Sequence, residues 1–113
     1  MARFPSKIPA TIYVRNIATA LTAAGTTQAT ALLLGAELNA LGTVASSSGV
    51  RLPVGVPGMR MIVFNGGANT LKVYPASGGT LNGAAADAEI SIATLVNLVC
   101  YCYLSNKWAC TIS

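Results

Sequence analysis

The sequence predicts a mainly β protein: a single-domain sandwich or jelly-roll-like barrel of short antiparallel strands (residues 12–113), preceded by an extended N-terminal arm (residues 1–11). Three observations predict it. Short apolar alternations recur with a turn signal roughly every 8–12 residues, the spacing of sandwiches and barrels. Glycine and asparagine cluster in NGGANTLKVYPASGGTLNG (65–83), where a turning backbone needs residues that tolerate positive φ. The 113 residues fit one compact domain and leave no room for a second.

In the arm, Pro5 and Pro9 disfavour regular pairing, Phe4 and Ile8 offer apolar anchors, and Arg3 and Lys7 carry charge. The arm is expected to dock on a neighbouring protein surface. TIYVR (11–15), rich in β-branched and aromatic residues, is the first strand. The next stretch is ambiguous, because its Ala and Leu suit a helix while its Thr and Gly oppose one. Within it, TQATALLL (27–34) reads as a strand and AELNAL (36–41) as either a turn of helix or a loop. Two short strands then flank the turn at 46–49. Pro57-Gly58 is a type II turn signal before MRMIVFN (59–65), whose aliphatic and aromatic density makes it the central strand.

Gly66, Gly67 and Asn69 are expected to turn the chain tightly, so that TLKVY (70–74) returns as a strand until Pro75 stops it. Gly78 and Gly79 turn it again, TLNG (80–83) is an edge piece, and AEISIATL (88–95) sets Ile90 and Ile92 on one face. In NLVCYCYLSNKWACTIS (97–113) a three-residue loop, Ser105-Asn106-Lys107, would place Leu104 opposite Trp108, Cys102 opposite Cys110 and Cys100 opposite Ile112. That register gathers the apolar residues on one face and leaves Tyr101 and Tyr103 on the other. Among the turns, Asn65, Asn69, Tyr74 and Asn82 are the candidate residues of a loop surface.

Composition limits what the chain can do. Charged residues make up 9% against about 25% in an ordinary domain, while 53% are apolar, so the surface is expected to be buried in a homo-oligomer. No stretch approaches the roughly 20 apolar residues of a membrane helix, and no apolar signal core follows Arg3 and Lys7, so no membrane partner is expected and synthesis is expected in a cytoplasm. The three cysteines do not resemble a disulfide framework, and with no histidine a zinc site is not expected. Small buried apolar side chains are their expected role. The sharper alternative is a bond from Cys110 to one of the others after release into oxidising surroundings.

Histidine-dependent catalysis is absent, and of the carboxylates Glu37, Asp87 and Glu89 only the last two are near in sequence and read as solvated charges, so the chain is expected to be a non-enzyme without a cofactor. Of the seven basic residues behind the net charge of +4, Arg3, Lys7 and Arg15 lie in the first fifteen positions and the other four are scattered singly, with no aromatic stacking platform, so nucleic acid is not an expected partner.

The motifs Val50 to Pro53, Asn65 to Asn69, Val73 to Gly79 and Asn82-Gly83, followed by the aromatic strand with Trp108, resemble small virion proteins of tailed bacteriophages over about residues 27–113. The resemblance implies a β-rich structural subunit of the particle: a capsid decoration (cement) protein, often a homotrimer, that binds the major capsid protein on the virion surface and stabilises the head. The arm residues Arg3, Phe4, Lys7 and Ile8 would then make the capsid contact. The alternative that it implies is a head-fibre, neck or tail-associated β module that recognises carbohydrate or a receptor.

Overall fold

Aliphatic residues at every second position make a strand wherever one face can be buried. In the computed structural model, which describes residues 15–113, ten such strands form two sheets. They are β1 (Ile17–Thr22), β2 (Leu32–Leu33), β3 (Leu38–Thr43), β4 (Gly49–Arg51), β5 (Arg60–Asn65), β6 (Leu71–Tyr74), β7 (Thr80–Leu81), β8 (Ile90–Ile92), β9 (Asn97–Leu104) and β10 (Lys107–Ile112). The protein is mainly β, with one 3-10 turn at Gln28–Thr30 and no α-helix among the described residues. The arm at 1–11 and all but Arg15 of the strand expected at 11–15 lie outside the described residues.

The pairing differs from the expected antiparallel sandwich. From β1 to β6 the chain alternates between the sheets, so β1, β3 and β5 stack in parallel in one and β2, β4 and β6 in the other. This is a β-solenoid-like winding of three coils. β8 and β9 then run antiparallel against β6 and β5 and finish the stack. β10 forms a hairpin with β9, and β7 pairs in parallel with β10 at the far edge. The final orders are β1-β3-β5-β9-β10-β7 and β2-β4-β6-β8. Period-two alternation states which face is buried and is silent on which strand lies alongside, so a coil and a sandwich share it.

Individual elements follow the same logic. AELNAL is not a helical turn: Ala36 and Glu37 form a bend, as the loop reading expects, and Leu38 begins β3, with Asn39 and Leu41 pointing inward and almost wholly buried. Pairing with β5 and burial of Leu41 outweigh the helical leaning of Ala, Glu and Leu. TQATALLL is only partly a strand. Thr27 and Thr30 join hydroxyls at 2.8 Å across the 3-10 turn, and extended pairing is confined to β2. β5 is central as expected, the third of six strands, with Met61, Val63 and Asn65 inward.

β6 does not return beside β5 but crosses to the other sheet, so 66–70 is a coil corner stacked on the corner below. Gly66 and Gly67 are needed there for close approach, not for positive φ. A Cβ on Gly66 would meet the Leu41 carbonyl oxygen at 2.7 Å, and one on Gly67 would meet the Val44 side chain at 2.6 Å.

The core lies between the sheets. Val50, Leu71, Val73 and Ile92 come from the four-stranded sheet, and Leu41, Val63, Leu98, Cys100 and Trp108 from the six-stranded one. Trp108 is fully buried, and its ring runs so close under Gly55 that a Cβ there would touch it at 3.0 Å.

The hairpin register is corrected in detail. The loop has two residues, Ser105 and Asn106, with Leu104 opposite Lys107, and Tyr103 is an extra bulged residue. The bulge restores the alternation, so Trp108 and Cys110 stay on the face of Cys100 and Cys102. The partners are displaced: Trp108 faces Cys102 and Cys110 faces Cys100. Leu104 and Ile112, at 53% and 58% exposure, do not join the core.

Candidate functional site

The outward positions of the six-stranded sheet follow from its register. Ile17, Leu38, Ile62 and Val99 are successive partners across β1, β3, β5 and β9 and form one apolar row. Ala40 and Phe64 pair on one side of that row, and Arg60 and Tyr101 on the other. Ile17 is 58% exposed, Tyr101 51% and Tyr103 52%, while Leu38, Ile62, Phe64 and Val99 are half-buried. An open sheet face ordinarily carries polar residues opposite the core, so an apolar row on it marks a surface that something else can cover.

One end of this face is held by charge. Arg60 pairs with Glu37, through Nε at 2.7 Å and through a second, closer contact of Nη2 to the same carboxylate oxygen. The other oxygen, Oε1, accepts the Arg15 backbone N–H at 2.7 Å, and the Glu37 N–H donates to Asn16 Oδ1 at 2.7 Å. The Arg15 N–H and then the Arg60 guanidinium hold the Glu37 carboxyl below its usual range, and the same bond holds Arg60 above its own. These groups line a shallow cleft of about 630 Å³ with Asn16, Met59 and Tyr101. Both Glu37 oxygens are engaged, so the carboxylate is committed to fixing the start of β1 against β3 and β5.

The candidate loop residues are scattered by the fold. Asn65 is not a surface residue: it is fully buried, donates through Nδ2 to the carbonyls of Asn69 (2.9 Å) and Ile92 (3.1 Å), and accepts the Gly67 N–H (3.0 Å). Tyr74 is also buried, at 7% exposure. Proline at 75 and turn-forming neighbours suggest a loop tip, but the tyrosine lies under the 25–30 segment. Asn69 and Asn82 are exposed yet occupied. Asn69 Nδ2 donates to the Val44 carbonyl at 2.9 Å. The Asn82 amide pairs with both backbone groups of Cys110, at 2.6 and 3.0 Å, as a strand residue would. Asn65 and Asn69 share one corner, but Asn82 belongs to the β10 edge, so the four do not converge on a binding site.

Sequence reasoning missed the apolar row itself. Its signal is present in β5, where Met61, Ile62, Val63 and Phe64 are apolar at both parities. A strand apolar on both sides is expected to be covered on both sides.

Among the described residues no three of His, Cys, Asp and Glu lie together so as to hold a metal ion, and no helix is long and apolar enough to cross a membrane. In comparisons with protein-family models, curated proteins and solved structures, nothing matched the chain.

Proposed function

We propose that the chain is a structural subunit of a tailed-phage virion, a capsid decoration protein that associates with copies of itself, as a trimer, and binds the coat to strengthen the head. The observation that carries this reading is the apolar face of the six-stranded sheet, which no described segment covers, centred on Ile62 with Ile17, Leu38, Val99 and Tyr101 around it. Burying such a row is favourable by about 25 cal/mol per Å² of apolar area. It also agrees with a sequence in which only 9% of residues are charged and with the resemblance of the 27–113 motifs to virion proteins.

The alternative of a head-fibre, neck or tail module that recognises carbohydrate would need side chains free to bind at the 65–69 and 77–83 loops. Asn65 and Tyr74 are instead buried, and the Asn69 and Asn82 amides are bonded to backbone. The sheet face is therefore the favoured reading.

Sedimentation of the full chain at micromolar concentration tests the association. The expected result is a discrete oligomer that Ile62→Lys weakens at least tenfold, about 1.4 kcal/mol, without unfolding the protomer. A stable monomer, or an oligomer indifferent to Ile62→Lys, overturns the assignment of the face. In purified particles, icosahedral stoichiometry supports a decoration protein, and a handful of copies supports a fibre or tail component.

A further inference from the structure

Two of the three free thiols meet across one ladder. Cys100 and Cys110 are direct partners between β9 and β10. Both backbone groups of Cys110 are turned away from β9, toward the Asn82 amide at 2.6 and 3.0 Å. Those of Cys102 are turned toward the β5 side, with its N–H on the Met59 carbonyl at 2.9 Å and its carbonyl on the Gly58 N–H at 2.8 Å. Cys100, two positions earlier on β9, shares that orientation. The Cys100–Cys110 pair is therefore a non-hydrogen-bonded one, the closer of the two antiparallel types, with Cα atoms about 4.5 Å and Cβ atoms about 4.5–5.5 Å apart. A disulfide needs Cα atoms about 4.4–6.8 Å and Cβ atoms about 3.5–4.5 Å apart, so the pair bridges if the strands draw slightly together.

We propose that Cys110 and Cys100 form a thiol–disulfide exchange site that takes a low-molecular-weight disulfide as its oxidant and closes into a reversible cross-strand bond. The half-buried Cys110 is the attacking thiol and the buried Cys100 the resolving one. The Cys110 thiolate attacks one sulfur of the small disulfide, forming a mixed disulfide and releasing one thiolate. The Cys100 sulfur then attacks Cys110 Sγ, closing the Cys100–Cys110 bond and expelling the second small thiolate. The two protein sulfurs give up two electrons, the small disulfide is reduced, and the two thiol protons end on the two released thiols.

The electrostatics agree with this order. A hydrogen bond from Cys100 holds the Cys110 thiol below its usual range, while that bond, together with burial, pushes Cys100 up. Cys102 is excluded by placement: it faces Trp108, and its thiol donates to the Leu104 carbonyl at 3.0 Å. The slight closure required leaves strain in the bond, which makes it easier to reduce than a relaxed structural disulfide. The bond would tie β10, and through it β7, to the rest of the six-stranded sheet.

The test treats the folded full chain with excess oxidised glutathione, blocks remaining thiols and maps tryptic peptides without reduction. Cleavage after Lys107 puts Cys110 on a different peptide from Cys100 and Cys102. The expected result is a cross-link between the two peptides, assigned by fragmentation to Cys100, with Cys102 alkylated and the link reopened by reduced glutathione. Cys100→Ser should stop at a persistent glutathione adduct on Cys110, and Cys102→Ser should leave the cross-link unchanged. An unmodified protein, a persistent adduct on Cys110 of the unaltered chain, or a link to Cys102 overturns the proposal.

Discussion

The two outer faces of the molecule are made from similar strands but are finished differently. On the four-stranded sheet the outward positions are Leu33, Arg51, Lys72, Tyr74 and Ser91, and the chain covers part of them itself. The 25–30 segment passes over Tyr74, whose hydroxyl donates to the Thr26 carbonyl at 3.4 Å. Gln28 Nε2 pins the segment to the Pro75 carbonyl at 2.8 Å and to Asp87 Oδ1 at 2.9 Å. On the six-stranded sheet the outward positions are more apolar, and no described segment closes over Ile17 or Tyr101. The fold thus encloses Tyr74 on one face, while Leu33 on the same face stays 55% exposed. No described segment covers the other in the same way, so substitutions under the cover should cost stability and, on the function proposed above, those on the six-stranded face association.

The largest effect expected from this contrast compares one residue type on both faces. Tyr74→Ala should cost about 3–5 kcal/mol, the range for an enclosed aromatic side chain. Tyr101→Ala should stay within about 0.5 kcal/mol of the unaltered chain in stability, since the ring is exposed, and should instead weaken self-association. Urea unfolding at a concentration where the protomer is monomeric measures both. Equal losses would erase the distinction between the faces.

The corners that carry the chain between the faces should separate next. Gly67→Ala drives a methyl into Val44 at 2.6 Å and is expected to cost about 1–3 kcal/mol. Gly35 lies at the corner from β2 to β3, where an added methyl would meet nothing within 4 Å and φ is not positive. Gly35→Ala should therefore be neutral or gain up to about 1 kcal/mol. A tolerated Gly67→Ala would mean that the corners are not stacked as closely as the coils require.

The Gly67 corner also marks how much could be read in advance. The strand character of β5, β6 and β8 was legible, because Met61/Val63, Leu71/Val73 and Ile90/Ile92 alternate between turn signals. So was the common face of Cys100, Cys102, Trp108 and Cys110. The direction of pairing was not: Gly66-Gly67 serves a hairpin and a stacked corner equally well, and only the Val44 contact tells them apart. Asn39 and Asn65 were hidden for a related reason. Asparagine usually marks a turn, but both are fully buried here, where they satisfy backbone groups freed as the coil bends. The bare face required knowing that β1, β3, β5 and β9 lie side by side, which no local pattern contains.

A smaller effect should come from Gln28→Ala. It removes the two bonds that hold the 25–30 segment over the four-stranded sheet and should cost about 0.5–1.5 kcal/mol. Hydrogen exchange should quicken at the Thr30 and Ala31 amides, which bond within that turn, and stay unchanged in β9. If protection fell equally in β9, the segment would be part of the common core and not a separate cover.

The smallest effect is in acid, where each region has one carboxyl of lowered pKa. Glu37, beside the bare face, is held down by the Arg15 N–H and then by Arg60. Asp87, beside the cover, is held down by the Gln28 side chain and then by the Gly78 N–H at 2.7 Å. A carboxyl whose folded pKa lies below its unfolded value contributes its full stabilisation above the unfolded value, about 4.3 for Glu and 3.9 for Asp. The contribution is lost as pH falls through the folded value. Neither group should therefore change the melting temperature between pH 7 and about 5, and both should lower it below about pH 4. Asp87 is exposed and Glu37, though its side chain is only 16% exposed, lines an open shallow cleft, so the change should be slight and weaker in high salt. Melting curves of Glu37→Gln and Asp87→Asn should each fall less steeply in acid than the unaltered chain. Added salt should narrow the difference more clearly for Glu37→Gln, which breaks an ion pair, than for Asp87→Asn, which removes the charge from bonds to neutral donors. An acid limb of the same slope in both variants would show that neither carboxylate interaction contributes to folding.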